Sequence, residues 1–286
     1  MDWSKQLQEP KFWLLAIVSA IAVLHLTLLN RINDPDIFAT SILFWMAAGS
    51  LIWDRRETLN MESGLVPSLA GVVVLALLLL RSSFSPDSLS TAWALPLFAM
   101  LAVGLLASGF KGLRQYWREF IIFGLLALYP VLKLSLQAID LSELTAIAAA
   151  FNLSYLGFPV QRQGVFLVMP SSRVEVYGAC SGLQSILQLL SISILFLLMF
   201  PLSKLWQRIV CVISAIVIAF SVNSFRVALM TILNNIGNKG AFDYWHEGDG
   251  SLIFSAIAVA VFGGFCWFFF LRKPTQKPDS GAHENA

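Results

Sequence analysis

The chain has 286 residues, of which 57% are hydrophobic and 13% charged, and its formal net charge at pH 7 is +2. Soluble domains contain about 25% charged residues, so this composition, with a mean hydropathy of +0.74, excludes an ordinary soluble protein and indicates a membrane protein. The small net charge, without basic runs interleaved with aromatics, gives no indication of nucleic-acid binding.

Apolar runs long enough to cross a membrane recur along the sequence. A run that crosses a hydrocarbon core of about 30 Å must be helical, because its backbone polar groups find partners only within the run. A ninth run, residues 141–156, could also cross, although its charge and its asparagine favour an interfacial helix. The eight predicted spans are residues 12–29, 37–53, 65–80, 92–110, 119–136, 181–200, 205–230 and 251–271.

The basic residues predict how these spans are oriented. With a cytoplasmic N-terminus, twelve of the nineteen basic residues fall on the cytoplasmic side, which is the bias that the positive-inside rule describes. Both termini are then cytoplasmic. No small-residue cleavage pattern follows the first run, which is therefore predicted to be a retained span rather than a signal peptide. The twelve residues are Lys5, Lys11, Arg55, Arg56, Lys111, Arg114, Arg118, Lys204, Arg208, Arg272, Lys273 and Lys277.

The spans divide the chain into four parts. Residues 1–137 are predicted to form N-terminal transmembrane helices that act as a scaffold or guide a substrate, and residues 138–180 an extracytoplasmic segment. Residues 181–271 are predicted to form the transmembrane core that holds the candidate catalytic residues described below, and the polar residues 272–286 a disordered cytoplasmic tail.

The extracytoplasmic segment has its own predicted elements. Ser142 is expected to cap an interfacial helix with Leu144, Ile147, Ala148 and Phe151 on one side. The run 165–169, a turn, and the alternating run 173–177 predict a short β-hairpin. The predicted fold class is therefore all-α integral membrane: a polytopic bundle of about eight transmembrane helices with a short extracytoplasmic hairpin segment.

The predicted topology brings three reactive side chains to one membrane surface. The sixth span runs inward, the seventh outward and the eighth inward again. Cys180 opens the sixth span, Arg226 lies near the outer end of the seventh in VNSFRVALM, and His246 lies in the loop DYWHEGDG before the eighth. We therefore expect the three to meet at the extracytoplasmic face.

This combination of side chains suits nucleophilic catalysis. The unpaired N–H groups of a helix N-terminus and a nearby cation favour the thiolate of Cys180. His246 can protonate a leaving amine, and Arg226 can stabilise the thiolate or a tetrahedral oxyanion. Arg226 is not the base, because a guanidinium keeps its proton in proteins. Gly178 and Gly182 flank the cysteine as G-x-C-x-G, which leaves a carbonyl room to approach.

Each residue also has an ordinary structural interpretation. A single cysteine at a helix start is often structural, an arginine at a helix end often extends to lipid headgroups, and a loop histidine often has no chemical role. A metal site at Asp243, His246, Glu247 and Asp249 is disfavoured, because it offers one imidazole and loosely spaced carboxylates. No cofactor and no metal are indicated.

Other candidates in the spans favour packing over chemistry. Cys211 and Cys266 lie within apolar spans, where a small buried hydrophobe is the simplest interpretation. His25 lies within the first span and is expected to be packed or hydrogen-bonded rather than catalytic.

At the candidate site the sequence resembles the exosortase/archaeosortase family of integral-membrane cysteine transpeptidases. The resemblance rests on ACSGLQS at residues 179–185, NSFR at residues 223–226 and the histidine before the final span. The region WHEGDGSLIF is most similar to the cyanobacterial branch, the cyanoexosortases, with type A as the suggested type. The resemblance implies Cys180, Arg226 and His246 as catalytic residues, with Ser181, Gly182 and Asn223 in support.

The resemblance also implies a substrate class and a location. Family members process exported proteins that carry a C-terminal sorting signal: a short motif such as Pro-Glu-Pro, one transmembrane helix and a basic tail. Cleavage in the cell inner (plasma) membrane would leave a thioester on Cys180, which an unknown acceptor amine or water resolves. The implied partners are these exported proteins and membrane lipid, and no cofactor is implied.

Two other function classes remain open from the residues alone. A transporter or channel would carry polar residues through several spans and broken helices near the midplane, whereas the spans here are largely apolar. A non-catalytic membrane scaffold would make the cysteine, arginine and histidine incidental. The reactivity of the Cys180 thiol separates an enzyme from a scaffold.

Overall fold

The structure, a computed structural model, describes residues 10–32, 35–85, 88–136, 139–246 and 250–272. Within these ranges it contains ten α-helices and one small antiparallel sheet. The helices are α1 (Pro10–Ile32), α2 (Pro35–Asp54), α3 (Leu65–Phe84), α4 (Leu89–Gly112), α5 (Trp117–Leu136), α6 (Ser142–Tyr155), α7 (Leu183–Met199), α8 (Leu205–Asn235), α9 (Lys239–His246) and α10 (Gly250–Cys266), and the strands are β1 (Gln161–Gln163), β2 (Phe166–Met169) and β3 (Ser172–Glu175).

The predicted fold class is confirmed: the protein is an all-α polytopic membrane protein with one small sheet. Seven helical stretches of the described residues are long and apolar enough to cross a membrane. The longest, Ser90–Leu136, contains both α4 and α5, joined by the 3-10 turn Leu113–Tyr116. Each of the eight predicted spans therefore coincides with a long helix.

Close packing between α3 and α4 depends on a glycine. α3 exposes most of its apolar side chains, as a helix facing lipid does, and its buried residues are Gly71 and Ser82. A Cβ atom on Gly71 would lie 2.8 Å from the carbonyl oxygen of Ala102 on α4. The missing side chain lets the two backbones approach, which is how small residues promote helix association in membranes.

The main apolar core lies between α2, α4, α5, α7, α8 and α10. Small residues of α8, namely Cys211, Ala215 and Ala219, are fully buried and recur every four positions along one face of that helix. They let the neighbouring helices pack closely against α8. Cys211 and Cys266 are both buried, as expected for small apolar side chains.

Two buried polar side chains, His25 of α1 and Glu119 of α5, each bond to a side chain of α2 or of the turn that follows it. The Nε1 group of Trp45 donates to Nδ1 of His25 at 3.0 Å, and this histidine is only 1% exposed. Arg55 forms an ion pair with the fully buried Glu119 and also donates to the carbonyl of Gln115 at 2.7 Å. His25 is therefore packed and hydrogen-bonded, as its sequence position indicated.

The segment between α5 and α7 packs on the far end of α8. The predicted hairpin is confirmed by β2 and β3, which pair antiparallel with Leu167 opposite Val174. β1 is an additional strand that pairs with β2. It was not predicted, because its three residues, Gln161–Gln163, are all polar and exposed and show no alternation.

Helix α6 differs from the prediction at its first turn. Ser142 was expected to cap the helix but is its first residue, and the Asp140 carboxylate accepts the Ser142 backbone N–H at 2.9 Å. The hydroxyl and the backbone N–H of Ser142, next to the carboxylate, hold the pKa of Asp140 below its usual value. Leu144, Ile147 and Phe151 are exposed, which suits a helix at a membrane interface.

The structure describes the C-terminal end of the chain as far as Arg272. The predicted tail, residues 272–286, lies outside the described residues apart from Arg272. The eighth predicted span continues past α10 through a π-helical turn, Trp267–Leu271.

Candidate active site

Cys180 lies in a short 3-10 turn, Gly178–Cys180, between β3 and α7. We call these three residues the thiol turn. Its backbone N–H donates to the carbonyl of Tyr177 at 2.8 Å. Gly182 then takes a left-handed conformation with φ 84°, and α7 begins at Leu183. The prediction that Cys180 opens the helix is therefore wrong, because Gly182 separates the turn that carries the thiol from the first turn of α7.

Hydrogen bonds from neighbouring elements hold the backbone around the thiol. The side-chain amide of Asn223 on α8 donates to the carbonyl of Cys180 at 3.0 Å. The hydroxyl of Thr145 on α6 donates to the carbonyl of Ser181 at 2.8 Å, and the Ser181 hydroxyl donates to the carbonyl of Gly178 at 2.7 Å. The turn is thus fixed from both α6 and α8.

Glycine is required at position 182 for two reasons. Its positive φ lies in the region that residues with a Cβ atom rarely adopt. A Cβ atom there would also lie 2.7 Å from Nδ2 of Asn223. Gly182 therefore lets Asn223 reach the carbonyl of Cys180.

His246 ends α9 and faces the thiol. Its Nε2 lies 3.6 Å from Sγ of Cys180, within hydrogen-bonding distance for sulfur. The ring stacks on Phe242, one turn earlier in α9, with centroids 5.3 Å apart and an interplanar angle of 22°. The thiol and the imidazole are far apart in sequence, yet they contact each other as the predicted topology requires.

Arg226 of α8 holds His246 by hydrogen bonds to backbone carbonyls of α9. Its Nε donates to the carbonyl of Trp245 at 3.2 Å and its Nη2 donates to the carbonyl of His246 at 2.6 Å. These are C-terminal carbonyls of a helix, which lack intrahelical partners and attract cations. Arg226 and Asn223 lie three residues apart on one face of α8, so this face holds both the thiol turn and the histidine.

All three predicted catalytic residues line one cavity of about 1070 Å³. Most of the wall comes from α5, α7, α8 and α10, and Ile37 of α2 and Trp93 of α4 also line it. Polar side chains are frequent along it, including Gln184 and Gln188 of α7 and Ser251 and Ser255 of α10. The volume exceeds that of most small-molecule pockets, roughly 300–1,000 Å³. A polypeptide segment would fit such a space.

The charge of the cavity wall is positive among the described residues that form it. Lys133 of α5, Arg226 and the titratable His246 line the cavity, and no aspartate or glutamate is found among the described lining residues. The Lys133 ammonium donates to the neutral Oε1 of Gln184 at 3.2 Å. An anionic group in this cavity would therefore be stabilised electrostatically.

The acidic loop that was considered as a metal site is only partly described. Glu247 and Asp249 lie outside the described residues. The described residues contain no group of three or more metal-ligating side chains of histidine, cysteine, aspartate or glutamate.

Several residues of this site were missed by the sequence analysis. Thr145 and Phe242 gave no signal, because their contacts with the turn and with the imidazole depend on tertiary packing. Lys133 was assigned no role in the site from the sequence. Tyr177 lies three positions before Cys180, which is the spacing of one 3-10 turn, and its Oη lies 3.2 Å from Nε2 of His246.

A comparison with protein families places this site in a known context. The family model described as Transmembrane exosortase (Exosortase_EpsH) matches residues 32–263. The match covers well over half of the chain and includes the thiol turn, α8 and α9. No curated protein and no solved structure matches the chain.

Proposed function

The chain belongs to the transmembrane exosortase family, whose members are in general membrane-embedded sorting transpeptidases, and we propose that it cleaves C-terminal sorting signals of exported proteins through a thioester on Cys180. The signal is of the Pro-Glu-Pro type, followed by a transmembrane helix. The assignment to the cyanobacterial branch and to type A remains a prediction from the sequence.

One observation carries this proposal: the Sγ of Cys180 lies 3.6 Å from Nε2 of His246 at the wall of a cavity large enough for a polypeptide. A nucleophile within hydrogen-bonding distance of a general base is the arrangement needed for covalent acyl transfer. Backbone hydrogen bonds hold the turn that carries Cys180, and the imidazole of His246 stacks on Phe242, so both groups are fixed in position before a substrate binds.

The proposed reaction uses these groups in sequence. Cys180 attacks the carbonyl carbon of the scissile peptide while its proton passes to Nε2 of His246. The tetrahedral intermediate then collapses, the C–N bond breaks, and His246 returns the proton to the leaving amine. An acceptor amine or water then attacks the thioester carbon and gives its proton to His246, the C–S bond breaks, and the proton returns to the sulfur of Cys180. Arg226 holds the carbonyls of Trp245 and His246, so it keeps the imidazole within reach of the thiol.

The cavity suits a substrate that enters from the membrane. The lining side chains of α5 and α10 include Ala127, Ser255 and Ala258, and small residues permit close approach of another helix. A signal helix beside these residues places its preceding motif near Cys180. The acidic residue of the motif meets the cations Lys133 and Arg226.

The proposed orientation places both termini in the cytoplasm and the site at the extracytoplasmic face of the inner membrane. The support is the basic-residue bias of the sequence. With this orientation an exported protein presents its motif on the side where Cys180 lies, while the basic tail of its signal stays inside.

The test is co-expression with an exported protein that carries a candidate sorting signal. The wild-type protein is expected to shorten this partner, and Cys180→Ala is expected to abolish shortening. Cys211→Ala removes a buried thiol remote from the cavity and serves as the matched control, with processing retained. Cys180→Ser, a poorer nucleophile, is expected to retain bound substrate. Processing that survives Cys180→Ala contradicts the mechanism.

A further inference from the structure

We propose that Tyr177 is a fourth functional residue of the site. Its phenol hydroxyl holds the neutral imidazole of His246 in the resting protein, and it donates to the oxyanion that forms when Cys180 attacks a carbonyl. The second role rests on the function proposed above, whereas the first does not.

The geometry places the phenol and the thiol at the same ring nitrogen. The Oη of Tyr177 lies 3.2 Å from Nε2 of His246, and the Sγ of Cys180 lies 3.6 Å from this atom. The tyrosine and imidazole rings also meet edge to face, with centroids 6.3 Å apart. All three side chains line the cavity.

The local backbone explains why the phenol and the thiol share a face. Tyr177 precedes the 3-10 turn Gly178–Cys180, and the N–H of Cys180 donates to the Tyr177 carbonyl at 2.8 Å. This hydrogen bond closes the chain between the two residues, and both side chains contact His246 of α9. The positions of the phenol and the thiol thus depend on the same turn.

A neutral imidazole nitrogen has one lone pair, so the two groups compete for it. A phenol that donates to Nε2 stabilises the neutral imidazole in the resting site. When the thiol proton moves to Nε2, that nitrogen becomes a donor and can no longer accept from Tyr177. The phenol O–H is then released at the moment when negative charge develops on the attacked carbonyl oxygen.

The released hydroxyl of Tyr177 donates to the oxyanion, a role for which Arg226 is poorly placed. Two of the three guanidinium nitrogens already donate to the carbonyls of Trp245 and His246. In the proposed cycle the S–C bond forms, the carbonyl electron pair moves to oxygen, and Tyr177 donates a hydrogen bond to it. When the intermediate collapses and His246 protonates the leaving amine, Nε2 accepts from Tyr177 again. The phenol keeps its proton throughout.

Other charges near the imidazole must be counted in any pH-dependent test. Among the described residues, the titratable or charged groups that share the cavity with His246 are Cys180, Tyr177, Arg226 and Lys133. Lys239, Asp243 and Tyr244 lie on α9 itself. Tyr177→Phe changes none of these groups except the phenol, so a shift in the pH profile reports on that hydroxyl.

The experiment compares Tyr177→Phe with the wild-type protein in two assays. The first measures processing of a co-reconstituted sorting-signal substrate. The second measures alkylation of the Cys180 thiol by iodoacetamide between about pH 5 and pH 9, with Cys180→Ala as background. Tyr155→Phe is the control for a lost phenol, because Tyr155 is 84% exposed on α6 and stacks only on a neighbouring ring.

The two assays are expected to move in opposite directions. Processing by Tyr177→Phe should fall about 100-fold, the typical cost of removing one oxyanion donor. Alkylation should be at least as fast as in the wild type, with its midpoint at lower pH, because Nε2 accepts the thiol proton more readily once the phenol is gone. Tyr155→Phe should change neither assay.

Three results overturn the inference. A fall in both assays means that Tyr177 is only a structural support, and no change in either means that its hydroxyl has no role. The alkylation assay needs no sorting signal, so an unchanged midpoint refutes the resting contact even if the wild type processes no candidate substrate. A wild-type protein that processes no candidate substrate counts against the proposed function, whatever the alkylation assay shows.

Discussion

At the Arg55 end of the bundle a buried carboxylate is paired with a cation inside the protein, whereas at the Cys180 end polar side chains line an open cavity. Glu119 is fully buried and paired with Arg55, which also donates to the carbonyl of Gln115. Cys180, His246 and Lys133 instead line about 1070 Å³ of open space. Buried polarity therefore does not identify a site by itself. What distinguishes the second end is that its polar groups face a space where a substrate can bind.

The largest loss of activity is expected when the general base at the cavity end is removed. His246→Asn should reduce processing by about 10² to 10⁴-fold, the usual contribution of general acid–base catalysis. Melting of the purified protein in detergent should change little, because the side chain is only partly buried. Lys239→Ala, at the exposed start of α9, is the control. A loss of less than tenfold in His246→Asn would argue against its role as the base.

A substitution at the opposite end should affect stability rather than chemistry. Arg55→Ala leaves the Glu119 carboxylate buried without its cation, which typically costs about 3–5 kcal/mol of unfolding free energy. Thermal unfolding in detergent measures this loss, and the rate per folded molecule should stay near that of the wild type. Arg56→Ala is the matched control, because its ion pair with Glu57 is exposed. A melting temperature of Arg55→Ala equal to that of the wild type would show that this ion pair does not stabilise the fold.

A smaller loss of activity is expected when the hydrogen bond from α8 to the thiol turn is removed. Asn223→Ala removes the donor to the carbonyl of Cys180 and should lower processing roughly tenfold, because an unpaired buried carbonyl costs about 1–3 kcal/mol. Asn152→Ala removes a side-chain amide that donates to Ser224, also on α8, at 3.0 Å but away from the turn. Its rate should remain close to the wild-type rate. Equal losses in both variants would mean that α8 packing, rather than the turn, is affected.

The smallest expected effect concerns substrate binding. Lys133→Gln removes one cation from the cavity and should raise KM a few-fold for a signal with an acidic motif, with kcat nearly unchanged. Replacing the acidic residue of the motif with glutamine should remove the difference between Lys133→Gln and the wild type. If the difference persists with the neutral signal, Lys133 does not contact that residue.

The spans and the meeting of distant residues were predictable because both follow from local information. The length of an apolar run is read directly from the sequence, and the parity of the spans places Cys180, Arg226 and His246 at one end. Contacts that depend on tertiary packing were not predictable. Nothing near Thr145 indicates that its hydroxyl bonds the carbonyl of Ser181.

Two errors at element ends have the same physical origin. The sequence indicated a helix starting at Cys180 and a cap at Ser142, since apolar periodicity locates a helix but not its first turn. The left-handed backbone at Gly182 and the carboxylate of Asp140 decide those boundaries. The catalytic roles of Cys180, Arg226 and His246 stay predictions until the substitutions are tested.

The length of α8 has a consequence for how the site responds to its surroundings. From Asn223 to Asn235 the helix continues about 18 Å past the thiol turn and packs against α6, β3 and α9. One rigid rod thus carries both the nucleophile's support and the histidine's support. A helix can change its tilt when the bilayer thickens or thins. Because α8 supports both the Cys180 thiol and the His246 imidazole, we expect the two groups to move together and their distance to depend little on the lipid composition of the membrane.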